Sequence, residues 1–420
     1  MALPLEGIVV ADLTQNVAGP FCAQILGDMG AEVIKVERPG RGDDARAWAP
    51  PWWGDESSAF MAFNRNKKSL ALDLKHEAGL TVLRRLVARA DVFVQSLRAG
   101  VIDELGLDFA GATALNPQLV YCSITAFGTR GPLADRPGYD PLMQAYGGLM
   151  SINGHPGAEP ARVGTSIVDM GTGMWAALGI VAALRQRDAT GRAVDVTTAL
   201  FETALMWVCY QAMGYLASGE VPAAQGSGTA MIAPYQAFPV ADGYVMIAAG
   251  SDTLFVRLVE ALGAPELARD PRFADNPSRV TNRAALVDAV AALTRARKAG
   301  DLLDALRAAG VPSAPIQRID QVLADAQTQA SGMLVGAPHP RVPDYRSIGL
   351  PIQWNGARPG VRRVPPKLGE HDADVLTWLG YTLDDIRTLR ERGVLAAASR
   401  GRTDPPTSIP GTRSETEKLG

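Results

Sequence analysis

One carboxylate, Asp169, stands among small residues in the segment ARVGTSIVDMGTGMWAALG. The pattern after it predicts an apolar helix over residues 170–187, so we expect Asp169 directly at a helix start. A carboxylate in that position is stabilised as the anion, and one that faces a pocket can attack a thioester as a nucleophile. The same local sequence suits an aspartate that only caps the helix, which is the simpler interpretation. The segment by itself therefore leaves both roles open.

Basic residues recur where predicted strands meet loops. Arg38 follows the second predicted strand, Arg65 and Lys68 lie in the NRNKKS segment before the third, and Arg98 follows the strand VFVQS. Ligands of α/β sheets bind at strand ends, and guanidinium and ammonium groups suit phosphates. These positions predict a phosphate-bearing ligand, although each residue could instead be a solvated loop charge.

Other chemical signatures are weak in this chain. The patterns GxSxG, HExxH, GxxxxGK[ST] and GxGxxG are missing in usable context, and NVAGP before the first predicted helix is as consistent with an ordinary turn as with a phosphate loop. The cysteines and histidines show no metal-type spacing, so we expect no metal site and free thiols at Cys22, Cys122 and Cys209.

The elements that would position these residues alternate between strand and helix. GIVVADL, GPFCAQILGDMG and AEVIKVE predict a βαβ start, and the alternation continues, which indicates an α/β fold with a mostly parallel sheet. The loop over residues 38–58 is long, so we expect it to belong to a binding surface. An apolar helix is predicted over residues 200–217, and a separate α+β unit follows it.

Composition limits the partners. A hydrophobic fraction of 47% and a charged fraction of 20% indicate a folded protein, and the net charge of −3 gives no basic field for nucleic acid or an anionic membrane. The first residues lack the pattern of a signal peptide, and no run of 18 uninterrupted apolar residues occurs, so we expect a soluble cytoplasmic protein without a membrane span.

Across residues 4–396 the ordered motifs resemble those of the class III CoA-transferases, the CaiB/BaiF group that includes formyl-CoA transferase. They include PLEGIVVADLTQNVAGPFCAQILGDMGAEVIKVERPGRGD, NRNKKSLALDLK, ADVFVQSLRAG, NPQLVYCSITAFGTRGPLADRPGYD, GRAVDVTTALFE and GEHDADVLTWLGY. The resemblance implies a Rossmann-like large domain of parallel strands formed by both chain ends, a smaller inserted α+β domain and an interlocked homodimer. The predicted divisions are 1–200 (first part of the large domain), 201–222 (linker helix), 223–330 (small domain), 331–400 (linker and last part of the large domain) and 401–420 (disordered tail).

The resemblance also implies chemistry. Asp169 aligns with the family's nucleophile, which forms an acyl-aspartyl anhydride and then an aspartyl-CoA thioester. The resemblance implies CoA thioesters as substrates and no permanently bound cofactor. Amides near Asn16, Val17 and Ala18 are expected to stabilise oxyanions. The implied CoA contacts, with the basic residues of the NRNKKS segment added, are Arg38, Arg65, Lys68, Gln95, Ser96, Leu97, Arg98, Tyr139 and Asp140.

Some positions depart from the family pattern. Ser96-Leu97-Arg98 replaces the usual Asn-Phe-Arg type of sequence, so the residue that stacks on adenine is not identified. The glycine-rich loop that closes over intermediates has a reduced counterpart at residues 225–228. His155, Arg162 and Tyr235 are candidates for the acyl pocket or for ordinary surface and packing positions. Short dicarboxylyl-CoA donors such as succinyl-CoA are the expected substrates.

The sequence leaves rival functions open. An α-methylacyl-CoA racemase would carry a GHD-type motif where this chain has Gly138-Tyr139-Asp140, so it would lose one of two bases. A CoA-binding or lyase-like relative is a further alternative. A non-catalytic nucleotide-binding module would share the sheet and the basic loops, but it would not require the Asp169 segment.

Overall fold

The computed structural model describes residues 2–395. Its strands are β1 (Val9–Leu13), β2 (Glu32–Glu37), β3 (Trp52–Trp53), β4 (Glu56–Ser57), β5 (Lys67–Ala71), β6 (Val92–Gln95), β7 (Val120–Thr125), β8 (Val194–Ala199), β9 (Tyr235–Val240), β10 (Gly243–Ala248), β11 (Ser313–Pro315), β12 (Leu334–Gly336) and β13 (Arg346–Ile348).

The α-helices of the same residues are α1 (Ala18–Asp28), α2 (Ser58–Phe63), α3 (Glu77–Arg89), α4 (Val101–Glu104), α5 (Phe109–Leu115), α6 (Asp140–Tyr146), α7 (Leu149–Ile152), α8 (Ile167–Thr190), α9 (Leu200–Trp207), α10 (Cys209–Ser218), α11 (Asp252–Ala261), α12 (Asn276–Thr281), α13 (Arg283–Thr294), α14 (Ala299–Ala308), α15 (Ile319–Ala324), α16 (Ala326–Ala330), α17 (Asp372–Trp378) and α18 (Leu383–Glu391). Short 3-10 helices occupy Asp44–Ala47, Pro265–Arg269 and Pro271–Phe273.

Six parallel strands form the central sheet in the order β5, β2, β1, β6, β7, β8. Helices cover both faces of this sheet, and its central strands β1, β6 and β7 are largely apolar, with Val10, Val94 and Val120 fully buried. The parallel α/β sheet predicted from the sequence is therefore confirmed. The strand order reverses direction between β1 and β6, and ligands of such sheets bind at the carboxyl ends of the strands beside that reversal.

Two hydrophobic clusters cover the sheet. One face packs on α1 and α8, which contribute Leu26 and Ile180. The other packs on α3, α17 and α18, which contribute Leu83, Leu376 and Ile386. Segments from early and late in the described chain therefore build the same layered unit.

A third cluster lies around the antiparallel sheet β11-β10-β9. Phe238, Phe255, Leu286 and Leu302 are buried there by α11, α13 and α14. The cluster falls within the predicted α+β segment 223–330, and the status of that segment as an inserted domain stays a prediction.

Three local predictions need correction or limits. The predicted helix over 200–217 is interrupted at Val208, where φ is −102° and ψ is 16°, so it forms the separate helices α9 and α10. The predicted loop over 38–58 contains a 3-10 helix and the β3-β4 hairpin. The predicted tail over 401–420 lies outside the described residues.

Helix α8 is long and apolar. Among residues 2–395 it alone has the length and composition of a membrane span, but half of its most apolar stretch is buried inside the protein. The buried core helix of a globular protein has the same properties, and α8 contributes Val168, Ala176 and Ile180 to the hydrophobic core.

Close contacts fix α8 against its neighbours. A Cβ atom at Gly173 would lie 2.5 Å from the carbonyl oxygen of Ala18, the first residue of α1. A Cβ atom at Gly171 would lie 2.5 Å from the indole of Trp207, at the end of α9. Glycine at both positions lets the helices approach more closely than a side chain permits.

We predict that Gly173→Ala lowers the free energy of unfolding by about 1–3 kcal/mol, because the new methyl group overlaps the α1 backbone. Gly300→Ala in α14 is the matched control, since a Cβ there meets nothing within 4 Å. The control should be neutral or more stable by up to about 1 kcal/mol. Urea denaturation followed by circular dichroism measures both, and equal effects would contradict a tight contact at Gly173.

Candidate functional site

Asp169 lies in the first turn of α8 and is half-buried. Ser166 occupies the N-cap position, so the structure corrects the expectation that Asp169 precedes or caps the helix. Residues four apart share a helix face, and Gly173, one turn after Asp169, contacts Ala18. The side chain of Asp169 therefore lies on the face of α8 that packs against the start of α1.

Asp140 holds the start of α8. Its Oδ2 atom accepts hydrogen bonds from the main-chain N–H groups of Val168 (2.8 Å) and Asp169 (3.2 Å), and its Oδ1 atom accepts one of 2.6 Å from Gln144. The residue is only 1% exposed. Asp140 thus replaces a local capping side chain, since Ser166 makes no side-chain cap bond. Both oxygens already accept hydrogen bonds within the protein. The contact of Asp140 with CoA stays a prediction.

Burial and the nearby negative charge of Asp140 raise the pKa of Asp169 to about 7. The N-terminal end of a helix favours a carboxylate, but these two effects outweigh that preference. A large share of the side chain is therefore ionised at neutral pH, and the carboxylate is more basic than that of an ordinary aspartate. Both properties suit a carboxylate that attacks an activated carbonyl carbon.

The turn before α1 lies at the end of that helix which packs on α8. Asn16 has a positive φ of 69°, and its N–H group donates to Oδ1 of Asp43 at 3.0 Å. Within residues 2–395 the N–H groups of Val17 and Ala18 have no hydrogen-bond acceptor, as is usual at a helix start. Of the three amides predicted to stabilise an oxyanion, those of Val17 and Ala18 are therefore free to do so, while that of Asn16 is engaged.

Buried charges hold this turn. The Lys35 ammonium forms an ion pair of 2.8 Å with Asp43 and donates to the carbonyl oxygen of Thr14 at 2.8 Å. Burial alone would raise the pKa of Asp43, but the Lys35 charge holds that pKa below its usual value. Lys35, in strand β2, thereby holds both the residue before the turn, Thr14, and the Asp43 carboxylate that binds Asn16 within it.

A second buried pair lies beside the first. Lys67 contacts Asp12 at 3.1 Å and also donates to the carbonyl oxygen of Pro20 and to Asn64. Burial lowers the pKa of Lys67 to about 8. These contacts join β5, β1 and the first turn of α1, so they are structural and lie beneath the candidate site.

Three predicted CoA contacts meet at the carboxyl ends of β1, β2 and β6. The Gln15 N–H donates to Oγ of Ser96 (3.4 Å), and Arg38 donates to Oε1 of Gln15 (3.1 Å). Arg38 also pairs with Asp44 at 2.6 Å and is half exposed. Arg98 is exposed and has no ion-pair partner among the described residues. This edge lies at the reversal of strand order, where a nucleotide is expected.

Arg65 and Lys68 are placed elsewhere. They lie at the amino end of β5, which is the opposite edge of a parallel sheet from the carboxyl ends. Arg65 forms a buried ion pair of 2.6 Å with Asp28, and Lys68 pairs with Glu32 at 2.9 Å. The grouping of these two cations with Arg38 is therefore wrong, because the sequence interpretation did not separate the two ends of a strand. A CoA contact at Arg65 would also require its buried pair to open.

The remaining predicted residues differ in position. Leu97 packs partly into the core, whereas Tyr139 is 56% exposed. The loop 225–228 lies against His155: the Gly226 N–H donates to the carbonyl oxygen of Gly154 (2.8 Å), and a Cβ at Gly226 would lie 3.0 Å from Nδ1 of His155.

The sequence interpretation missed Gln144. Besides Asp140 it binds the N–H group of Val163 through Oε1 (2.8 Å), so it joins α6 to the segment that enters α8. The spacing of Asp140 and Gln144 on one helix face was the available signal, since residues four apart lie together.

Two cavities of the protein lie away from this site. A cavity of about 640 Å³ lies between residues 329 and 346, and one of about 410 Å³ lies near Asp91 and Arg187, before β6 and at the end of α8. Neither is lined by Asp169. Within residues 2–395 no group of three or more His, Cys, Asp or Glu side chains could hold a metal ion.

Comparison with known proteins gives consistent matches. A model of CoA-transferase family III matches residues 5–372. The succinate–glutarate CoA-transferase of Agrobacterium fabrum is 39% identical over 382 residues, covering 90% of this chain and 96% of that protein. The acetyl-CoA:oxalate CoA-transferase of Acetobacter aceti is 37% identical over 376 residues, covering 88% and 94%. The crystal structure of a CAIB/BAIF family protein from Brucella suis is similar with a TM-score of 0.82 and 41% identity, covering 90% of this chain and all of that one.

We predict that Asp169→Asn stabilises the protein increasingly as pH rises from 4 to 8. A carboxyl group whose pKa is raised by folding contributes its stability below its unfolded pKa and loses it as pH rises through about 7. The variant should match the wild type near pH 4 and exceed it by about 1–2 kcal/mol at pH 8, a value reduced for partial exposure.

Thermal unfolding across this pH range measures the difference. Asp304→Asn, which removes an exposed carboxylate from α14, is the control and should show no such growth. A constant or shrinking difference for Asp169→Asn would contradict the raised pKa.

Proposed function

The chain belongs to CoA-transferase family III, and on that premise we propose that it moves coenzyme A between carboxylic acids with Asp169 as the covalent nucleophile. As an enzyme of this type, it transfers CoA from an acyl-CoA to a carboxylate. One observation supports Asp169 as the nucleophile: its carboxylate, with a pKa of about 7, lies at the start of α8, opposite the start of α1.

In the first half of the proposed reaction, the Asp169 carboxylate attacks the thioester carbonyl of the donor. The C–S bond breaks, and an acyl-aspartyl anhydride and the CoA thiolate form. The thiolate then attacks the aspartyl carbonyl, which releases the donor acid as its carboxylate and leaves an aspartyl-CoA thioester. Covalent catalysis of this kind divides one difficult exchange into easier steps.

In the second half, the carboxylate of the acceptor attacks the aspartyl-CoA thioester. CoA leaves as the thiolate, and a new mixed anhydride joins Asp169 to the acceptor. The thiolate attacks the acceptor's acyl carbon, which gives the new CoA thioester and restores the Asp169 carboxylate. No net proton or electron is required, so this route needs no general base.

Two features of the chain support these steps. The free N–H groups of Val17 and Ala18 can donate to the oxyanion that forms at each attack. The basic Asp169 carboxylate is a better nucleophile than an ordinary aspartate, and it becomes a neutral acyl group in each intermediate, which relieves its repulsion with Asp140.

The adenosine and phosphate part of CoA is assigned to the carboxyl ends of β1, β2 and β6. Arg38 and Arg98 supply cations there, and Ser96 supplies a hydroxyl group. The crevice at the strand reversal is the usual position for such a ligand. We propose these three residues as the CoA contacts and treat the site as one for a substrate rather than for a resident cofactor.

The names of the relatives suggest the acids. The protein of Agrobacterium fabrum is named for succinate and glutarate, and that of Acetobacter aceti for oxalate. All three acids carry two carboxylates. We therefore propose a short dicarboxylyl-CoA such as succinyl-CoA as the donor and a dicarboxylic acid as the acceptor.

The racemase alternative is disfavoured by the local geometry. Removal and return of an α-proton require two bases beside the substrate. Tyr139 stands where such an enzyme would have histidine, and the Asp140 carboxylate already accepts three hydrogen bonds from N–H donors of the protein.

We also propose a homodimer. Helix α10 has no buried residue although it is rich in apolar side chains, and Tyr210, Met213 and Leu216 are 57%, 64% and 74% exposed. Leu205 on α9 and Leu178 on α8 are also exposed. Apolar surface of this extent is unusual for a monomer, and a second copy of the chain is the commonest partner for it. The interlocked arrangement implied by the family is consistent with so exposed a helix.

A cytoplasmic location is retained as a proposal. Within residues 2–395 the three cysteines are free, and two of them, Cys22 and Cys122, are buried. Free thiols are the rule where the surroundings are reducing.

We predict that the protein forms glutaryl-CoA from succinyl-CoA and glutarate, and that Asp169→Ala lowers this activity by about 10³-fold or more. Mass spectrometry of the CoA thioesters measures transfer, and hydroxylamine should trap the activated acyl group as a hydroxamate on Asp169. Asp188→Asn, near the far end of α8, is the control and should retain activity. Exchange of an α-proton without CoA transfer would instead indicate a racemase.

We predict a dimer of twice the 44.4 kDa chain mass in solution. Met213→Lys combined with Leu216→Lys should abolish it, because two charges would be buried in the apolar contact. Light scattering after gel filtration measures mass, and circular dichroism reports folding. Leu383→Lys, at an exposed leucine of α18, is the control that should stay dimeric. A wild-type monomer at micromolar concentration would overturn the proposal.

A further inference from the structure

Arg162 is an exposed cation seven residues before Asp169. Within residues 2–395 its guanidinium group forms no ion pair and donates no hydrogen bond. Glu159 is the nearest acidic residue along the chain before it, and the two side chains do not approach within 4.0 Å. The positive charge of Arg162 is therefore available to a ligand.

The backbone on both sides of Arg162 is fixed. The side-chain amide of Asn153 donates to the carbonyl oxygen of Ala161 (2.9 Å), and the N–H of Val163 donates to Oε1 of Gln144 (2.8 Å). An arginine on an anchored backbone can place its planar group with a smaller loss of conformational freedom than one on a mobile loop.

The same anchor reaches Asp169. Gln144 also donates to Asp140 (2.6 Å), and Asp140 accepts from the N–H of Asp169 (3.2 Å). Only two side chains therefore separate the backbone beside Arg162 from that of the nucleophile. Val163, the residue after Arg162, and Asp169 are thus joined by one hydrogen-bonded network at the entrance to α8.

The charges near Asp169 create a need for a cation. Asp140 and Asp169 are both acidic, and a dicarboxylic substrate carries a second carboxylate that does not react. That carboxylate would be repelled near the nucleophile unless a positive group receives it. A guanidinium group suits it well, because two of its parallel N–H donors match the two oxygens of a carboxylate.

We propose that Arg162 binds the unreactive carboxylate of the dicarboxylic acyl group or acceptor acid, and so selects dicarboxylic over monocarboxylic substrates. This inference depends on the proposed CoA-transferase function, and it names a residue that sets the substrate class. Acids without a second carboxylate, such as butyrate, gain nothing from this contact.

The test compares Arg162→Gln with the wild type, using succinyl-CoA as donor and either glutarate or butyrate as acceptor. The variant should lower kcat/KM for glutarate by about 10- to 100-fold relative to butyrate, mainly through a higher KM. Arg162→Lys should restore part of the loss. Arg185→Gln, at an exposed arginine further along α8, should leave the ratio unchanged. Equal losses for both acids, or no loss, would overturn the proposal.

A binding measurement separates this proposal from the transferase function. In the Asp169→Asn background, calorimetry should show tighter binding of succinyl-CoA than of butyryl-CoA, and Arg162→Gln should remove the difference. If the wild type transfers no CoA but this preference exists and depends on Arg162, the transferase function fails while the carboxylate site stands. If the two thioesters bind equally in the presence of Arg162, the carboxylate site is excluded whatever the activity.

Discussion

The hydrogen bonds from the start of α8 to the buried carboxylate of Asp140 set the position of the candidate nucleophile. They satisfy amides that would otherwise lack partners, and they fix the first turn from a different helix rather than from the preceding loop. Burial raises the pKa of Asp169, and the negative charge of the same Asp140 carboxylate raises it further. Asp140 therefore fixes the geometry of this carboxylate and contributes to its basicity, so a substitution at Asp140 would change both properties.

The opposite side of the site depends on buried ion pairs. Lys35 holds Asp43, which in turn accepts the N–H of Asn16 and keeps that residue in its left-handed conformation. Buried ion pairs contribute little net stability, because desolvation offsets much of their attraction. Their value here is conformational: they define the turn that leaves the amides of Val17 and Ala18 free. Apolar replacements could preserve the fold yet lose this arrangement.

Much of the fold was predictable, whereas the assembly of the site was less so. Alternating apolar strands and helices indicated the parallel sheet, and Asp169 was correctly placed near a helix start. The grouping of Arg65 with Arg38 failed because a linear sequence shows that a cation lies near a strand but not at which edge its partners lie. The break at Val208 was missed because the apolar pattern continues through it. The implied transferase chemistry came from resemblance, since local sequence favoured a capping role for Asp169.

In the proposed site, helices hold the reacting groups and loops contact the acid, and this separation would let one scaffold bind different acids. The proposed nucleophile is on α8 and the free amides are at the start of α1, and these helices meet at Gly173, where no side chain intervenes. Their relative position therefore depends on a backbone contact within the core. The segment that carries Arg162 and the loop 225–228 lie outside this contact. Gly226 lies against Gly154 and His155, and the adjacent Asn153 binds the carbonyl oxygen of Ala161. If these segments contact the acid as proposed, substitutions there would change the acid that is bound without moving the proposed reacting groups.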